Sequence, residues 1–254
     1  KGENVSDYFS GTLLLNDNQY LESHKFLKKL DGLEIIHLNY SSKYLSNLVN
    51  LRKFNEAFKY SKKLEKNNLD NFESNLIIGV YYLKNGKHDL AQKYFLKFKN
   101  FKSNFILDNF VSDSLSNWVS FKHLDLQAAK VKINEIDSRF DKLKSIQNIF
   151  LHCFYNTQKT EYFFENSVLN KNSNFSRYNY FYAVYLNNIG KIDKAKKITT
   201  TSLKQYPRNL LLNQLKLDSK LSNYDHNFNC KNLSHVIAEI FYITANVLSS
   251  ENLF

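Results

Sequence analysis

Apolar and small positions along this chain recur every 34 residues. Ser23, Ala57 and Ala91 form one column, Tyr20, Phe54 and His88 a second, and Phe26, Tyr60 and Tyr94 a third. Leu30, Leu64 and Phe98 make a fourth, and Leu14, Leu48 and Tyr82 a fifth. A period of this length, with a small residue in its middle and apolar residues around it, marks a helix–turn–helix unit that buries its apolar face against the next copy. The pattern predicts an all-α protein of stacked antiparallel helix pairs, with binding as its mode of action.

The third copy shows how such a unit is built. Leu76, Ile77, Val80, Tyr82 and Leu83 predict one helix, and Ala91, Phe95 and Phe98, spaced i, i+4, i+7, predict a second over 88–98. Lys84, Asn85 and Gly86 join them. Glycine ends a helix at little cost in the left-handed conformation, and so short a link forces the helices antiparallel. Gly79 and Ala91 are expected at the closest approach, where small residues let helix axes come within roughly 8–10 Å. Gly190 and Ala195 repeat the turn and the small contact a hundred residues on.

These residues resemble the tetratricopeptide repeat family. The third unit supplies Ile78, Gly79, Tyr82, Ala91 and Phe95; the sixth supplies Tyr182, Ala183, Leu186, Gly190 and Ala195, with Pro207, the one proline, at the family's closing position. The first supplies Gly11, Leu14 and Leu27 with Ser23 in place of Ala, and the second Tyr44, Leu48 and Ala57 with Leu45 in place of Gly. The family's early Trp is absent, its positions taken by Asp7, Ser41 and Asn75. The resemblance implies a right-handed α-solenoid, with Gly11, Ser23, Ala57, Gly79, Ala91, Ala183, Ala195 and Pro207 as repeat-packing positions.

Ala91 and Ala195 lie 104 residues apart, three periods and two residues more, so two further units fit between them. Residues 118–136, with Ala129, Ile133 and Ile136, read as most of a fourth unit, and 146–169 as a fifth. Residues 1–207 are thus expected to be one array of about six degenerate repeats. Beyond it, 210–221 reads as a helix, 222–232 as a polar loop, and 233–249 as an apolar helix. In similar bacterial repeat proteins such a helix opens a further repeat. Because Val236, Ile237, Ile240, Phe241, Ile243 and Val247 leave it little polar face, it is expected to need a cover, from a continuing array or by self-association.

In the family the first helices line the concave groove, where a partner peptide or protein is held. The matching positions are Tyr8, Thr12, Leu15 and Asn16; Ser42, Ser46, Val49 and Asn50; Leu76, Val80, Leu83 and Lys84; and Tyr180, Val184, Asn187 and Asn188. Asn16, Asn50 and Asn188 share a column. An amide both donates to and accepts from an extended backbone, which suits sequence-tolerant capture; an Asn-rich composition produces the same column without selection. The Lys and Asn set by which some members clamp a chaperone's terminal carboxylate is missing, with Tyr8 and Thr12 at its first two positions and Glu73 opposing a carboxylate at another.

The net charge of +11 raises the question of nucleic acid. It comes from 31 Lys and only 4 Arg, whereas base edges and phosphates favour the Arg fork. Joint enrichment in Asn, Lys, Phe, Tyr and Ile is what an A/T-rich coding sequence yields, so a nucleic-acid partner is not expected. Lys25, Lys59 and Lys93 nevertheless recur at 34, as do Lys29, Lys63 and Lys97, and stacking places them in two ladders on the outer face. Those ladders read either as a solvated surface or as a contact for an anionic partner or membrane surface.

Candidate chemistry changes the picture little. No apolar run is long enough to span a membrane. His152 and Cys153 are neighbours, about 100° apart on a helix, and cannot pair as base and nucleophile. Two cysteines are too few for a disulfide scaffold, and Cys153 reads as a small buried residue. Asp225, His226, Cys230 and His235 are competent zinc ligands at a spacing that fits no common finger. No P-loop, dinucleotide glycine motif or HExxH is present, and no cofactor is expected. The chain opens at Lys1 without Met, which is compatible with removal of a signal peptide and leaves bacterial periplasm and cytoplasm both open. Three functions remain: a non-enzymatic interaction scaffold, an anionic-surface binder, or a regulatory module of a larger enzyme.

Overall fold

A computed structural model describes residues 2–101, 106–169, 176–220 and 228–250. Every regular element among them is helical. The chain divides into two compact units, Lys1–Val119 and Ser120–Phe254.

The first unit contains α1 (Gly2–Asn16), α2 (Tyr20–Leu27), α3 (Leu38–Asn50), α4 (Phe54–Lys66), α5 (Phe72–Lys84) and α6 (His88–Leu96), and α7 (Ile106–Ser120) closes it. α1 packs on α2, α3 on α4 and α5 on α6; α1 also touches α3, and α3 touches α5. The central small column is buried throughout, at Ser23, Ala57 and Ala91. Ser23 replaces the usual Ala without leaving a buried hydroxyl unpaired, because its Oγ donates to the Gly11 carbonyl at 2.7 Å. At Gly79 an added Cβ would stand 2.6 Å from Cδ1 of Phe95, so only glycine lets α5 approach α6 this closely. The core runs from one hairpin into the next through Leu27, Tyr40, Leu45, Leu48, Tyr60 and Leu64.

The second unit contains α8 (Leu126–Asn134), α9 (Asp141–Phe154), α10 (Thr160–Leu169), α11 (Ser176–Asn188), α12 (Ile192–Gln205), α13 (Leu210–Lys220) and α14 (Leu233–Ser250). α9 packs on α10 and α11 on α12. Ala183 and Ala195 are buried, and Pro207 is exposed between α12 and α13. In the stretch 118–136, Trp118 is buried near the end of α7 and the chain turns before α8, where Ala129 and Ile133 are buried. Asp125 starts α8 by accepting from the Ala128 amide at 2.8 Å. The hydroxyl of Tyr155 lies 2.7 Å from both the Phe121 and Leu124 carbonyls and fixes that turn.

A left-handed residue ends the first helix of each hairpin: Asn18 (φ 59°), Arg52 (58°) and Gly86 (70°), then Asn156 (52°) and Gly190 (79°). The 34-residue period holds in backbone conformation, not only in side chains. At each turn this residue and its successor donate back into the last helical turn, as in Arg52 N to Val49 O at 2.9 Å and Lys53 N to Leu48 O at 2.9 Å.

α14 buries part of its apolar face, with Phe241 and Ile243 half-buried and Tyr242 exposed. Val236, Ile237 and Ile240 are buried, as is Glu239. Arg177, in the first turn of α11, donates Nε and Nη2 to the two Glu239 carboxylate oxygens at 2.6 Å each, and its guanidinium lies 3.8 Å from the Tyr242 ring centre. The Glu239 carboxylate is buried with a bidentate partner.

Candidate binding groove

The groove positions of the first unit fall on α1, α3 and α5. Asn16, Ser46, Asn50 and Lys84 are exposed, as is the edge of Val49; Tyr8, Thr12, Ser42, Leu76 and Val80 are half-buried, and Leu15 and Leu83 are buried. The C-terminal ends of these helices thus present a polar row, Asn16, Asn50, Lys84, one residue per hairpin. Asn50 donates one amide hydrogen to the Ser46 carbonyl at 2.9 Å, which holds the side chain along α3. Ser42 is engaged within the unit, with Asn71 Nδ2 3.2 Å from its hydroxyl. The Thr12 hydroxyl is buried without a hydrogen-bond partner among the described residues.

In the second unit the matching column is closed. Tyr180 and Val184 on α11 are buried, since α13 packs against α11. Asn187 is half-buried and only Asn188 is exposed. A cleft of the second unit lies elsewhere, between α10, α11 and α12, with a volume of about 820 Å³. Glu165, Asp193, Lys194, Lys197, Thr201 and Tyr206 are among its lining residues. The repeat columns carried no signal for it, because most of its walls are outward positions of second helices.

The two lysine ladders differ. Lys59 and Lys93 are exposed, and neither forms an ion pair among the described residues; Lys25 pairs with Glu22 of its own helix at 2.7 Å. Lys29, Lys63 and Lys97 are instead engaged. Lys63 reaches Asp31 at 2.6 Å and the buried Glu34 at 2.8 Å, and Lys97 reaches Glu65 at 2.6 Å, each crossing to the preceding hairpin. Lys29 meets Asp7 at 3.6 Å. Lys194 does the same in the second unit, meeting Glu165 at 2.6 Å and also Glu161. Lys63 and Lys97 thus tie one hairpin to what precedes it, whereas Lys29 bonds within its own hairpin, to α1.

A polar chain fills the junction of α2, α3 and α4. His24 Nδ1 lies 3.0 Å from Asn47 Oδ1, Asn47 Nδ2 donates to the Tyr20 carbonyl at 2.8 Å, and Lys53 Nζ lies 3.2 Å from His24 Nε2. Burial and the Lys53 charge hold the His24 imidazole below its ordinary pKa. A neutral ring donates from Nδ1 and accepts from Lys53 at Nε2.

The chemical candidates separate. Cys153 and Cys230 form a disulfide with Cα atoms 5.8 Å apart, so Cys230 offers no thiolate to a metal, and Cys153 is buried, as expected of it. Asp225 and His226 lie outside the described residues. His235 accepts at Nδ1 from the Asn229 amide at 3.0 Å. Among the described residues no three His, Cys, Asp or Glu side chains gather as a metal site, and no helix is long and apolar enough to cross a membrane. His152 is buried, its Nδ1 2.7 Å from Thr157 Oγ1 and its ring stacked on Phe163 at 4.1 Å. Comparison of the chain with protein-family models, curated proteins and solved structures found no match, so these contacts alone carry the functional reading.

Proposed function

We propose that this chain is a non-enzymatic scaffold of tetratricopeptide type, a right-handed α-solenoid that holds a segment of another protein against the first helices of its first unit. The recurrence of the left-handed turn at Asn18, Arg52 and Gly86 supports the repeat type. The observation that carries the binding reading is the exposed row Asn16, Asn50, Lys84. Amide and ammonium groups at one-hairpin intervals match the repeating donors and acceptors of an extended peptide backbone. The Cys153–Cys230 disulfide favours an oxidising compartment such as the periplasm over the cytoplasm.

A peptide-display library selected on the whole protein tests this. Selected peptides should lose at least about tenfold in affinity with the double variant Asn16→Arg and Asn50→Arg, at unchanged thermal stability. Undiminished binding by that variant would remove the groove from the reading. The exposed, unpaired Lys59 and Lys93 favour a second reading, contact with an anionic surface. In that case vesicles containing phosphatidylserine should bind at low salt and release at moderate salt, and Lys59→Glu with Lys93→Glu should abolish the effect.

A further inference from the structure

The walls of the cleft over α11 are ordinary outward positions, but its floor is where the sixth hairpin departs from the others. Aligned on Ala57, Ala91 and Ala195, Ile198 stands in the column of Tyr60 and Tyr94, Ser202 in that of Leu64 and Phe98, and Thr201 in that of Lys63 and Lys97. In the second hairpin Tyr60 and Leu64 belong to the core cluster and Lys63 ties across to Asp31 and Glu34. The matching cleft there, lined in part by Tyr44, Leu48, Tyr60 and Lys63, holds about 340 Å³. In the sixth hairpin shorter side chains stand in all three columns, and the cleft holds about 820 Å³, inside the roughly 300–1,000 Å³ of small-molecule sites. Its floor is polar. Asn179 and Ser202 line the cleft at only 5% and 4% exposure, and neither side chain has a hydrogen-bond partner among the described residues. Asn75, at the same position of the third hairpin, instead donates its amide to Asp70 at 2.9 Å and to the Asn71 carbonyl at 2.8 Å. A buried amide left without a partner costs free energy that an incoming polar group recovers.

We infer that this cleft binds a neutral saccharide. Glu165 and Lys194 pair at 2.6 Å, and Asp193 and Lys197 add one charge of each sign, so the described lining has no net charge with which to hold a nucleotide or another multivalent anion. Asn179, Thr201, Ser202, Gln205 and Tyr206 gather five neutral side chains, each able both to donate and to accept, around one cleft. A sugar ring, with a hydroxyl on nearly every carbon, has that density of two-way groups. An extended peptide backbone offers one donor and one acceptor per residue, at intervals of about 3.3 Å. Val168, Ile198 and the Tyr206 ring supply apolar surface for the C–H faces of the sugar. The site lies wholly within the second unit and does not depend on the groove of the first.

Saturation-transfer NMR of the whole protein tests this with glucose, N-acetylglucosamine, maltose and diacetylchitobiose, each at about 5 mM, enough to reveal a Kd as weak as about 1 mM. At least one should bind. Ser202→Leu restores the residue of its column and should abolish the signal, and Asn179→Ala should weaken binding at least about tenfold, both at unchanged far-UV circular dichroism. If the added leucine disturbs the fold, Asn179→Ala alone decides. The double variant Asn16→Arg and Asn50→Arg should bind the same saccharide as well as the wild type does, which separates this site from the peptide groove. Silence from all the saccharides overturns the inference, as does binding that survives Asn179→Ala. A blocked dipeptide or adenosine monophosphate that binds in the cleft where the saccharides do not likewise overturns it, by assigning the cleft to another ligand.

Discussion

Lys97 reaches across from the third hairpin to Glu65 of the second, with Nζ 2.6 Å from the carboxylate. Glu65 also accepts from Lys62 and from the Tyr94 hydroxyl, the latter at 2.9 Å, and Lys97 lies 4.9 Å from the Tyr94 ring centre. Although burial opposes it, this set of donors holds the Glu65 carboxyl down at about 2. As an outer-face lysine in a ladder, Lys97 would be replaceable at no cost; as a tie between hairpins it is not.

Lys97→Leu should accordingly destabilise the protein by about 0.5–1.5 kcal/mol, more than an isolated surface pair because four groups share the network. Lys93→Leu, one turn away and unpaired, should change stability by less than about 0.5 kcal/mol. Urea unfolding of the two variants measures the difference. Equal effects would mean that the tie contributes nothing.

The 34-residue columns made hairpins one, two, three and six legible, because a small residue at a helix crossing and an apolar residue beside it have no substitute. They failed where one geometry admits several residue types. Gly86 and Gly190 announce their turns, but Asn18, Arg52 and Asn156 adopt the same left-handed conformation under other names. In the second unit Tyr180 and Val184 of the groove column are buried, an outcome their apolar side chains allow as readily as lining a groove. The Cys153–Cys230 pairing and the Arg177–Glu239 fork join residues 77 and 62 apart, beyond any local pattern.

Arg52 turns that blind spot into a measurement. A residue with a Cβ at φ 58° carries steric strain of about 1 kcal/mol that glycine does not. Arg52→Gly should raise stability by about 0.5–1 kcal/mol, even though glycine elsewhere in a helical protein destabilises. Chemical denaturation of the variant checks the sign, and Arg52→Ala, which keeps the Cβ, should bring no gain.

The disulfide closes the chain from Cys153 in α9 to Cys230 just before α14, a separation of 77 residues. A loop of that size restricts the unfolded chain by about 4.5 kcal/mol on the chain-entropy relation, within the usual span of about 2–5. Dithiothreitol, or Cys153→Ser, should therefore lower the unfolding midpoint clearly. Two titratable thiols in the denatured, unreduced protein would show that the pairing does not form.

Acid should act on this fold in two separate windows. His152 is buried, its Nε2 has no partner among the described residues, and burial together with the charges of Lys130 and Lys159 pushes its pKa down from 6.5 to about 4. The unfolded chain thus binds a proton that the folded one refuses. The contribution of the neutral ring is complete above pH 6.5 and is lost progressively as pH falls toward 4. His24, lowered for the same reason and by Lys53, adds in the same direction. Glu65 runs with the same sign in a lower window: its folded pKa of about 2 lies beneath its ordinary 4.5, so the stability it brings is lost as pH falls from 4.5 toward 2. Thermal unfolding recorded from pH 8 to pH 3 should show a first decline beginning near 6.5. His152→Gln should flatten that first decline and leave the lower one in place, whereas Glu65→Gln should do the reverse. A wild-type midpoint that stays level between pH 7 and pH 5 would mean that His152 titrates as freely in the fold as in the unfolded chain.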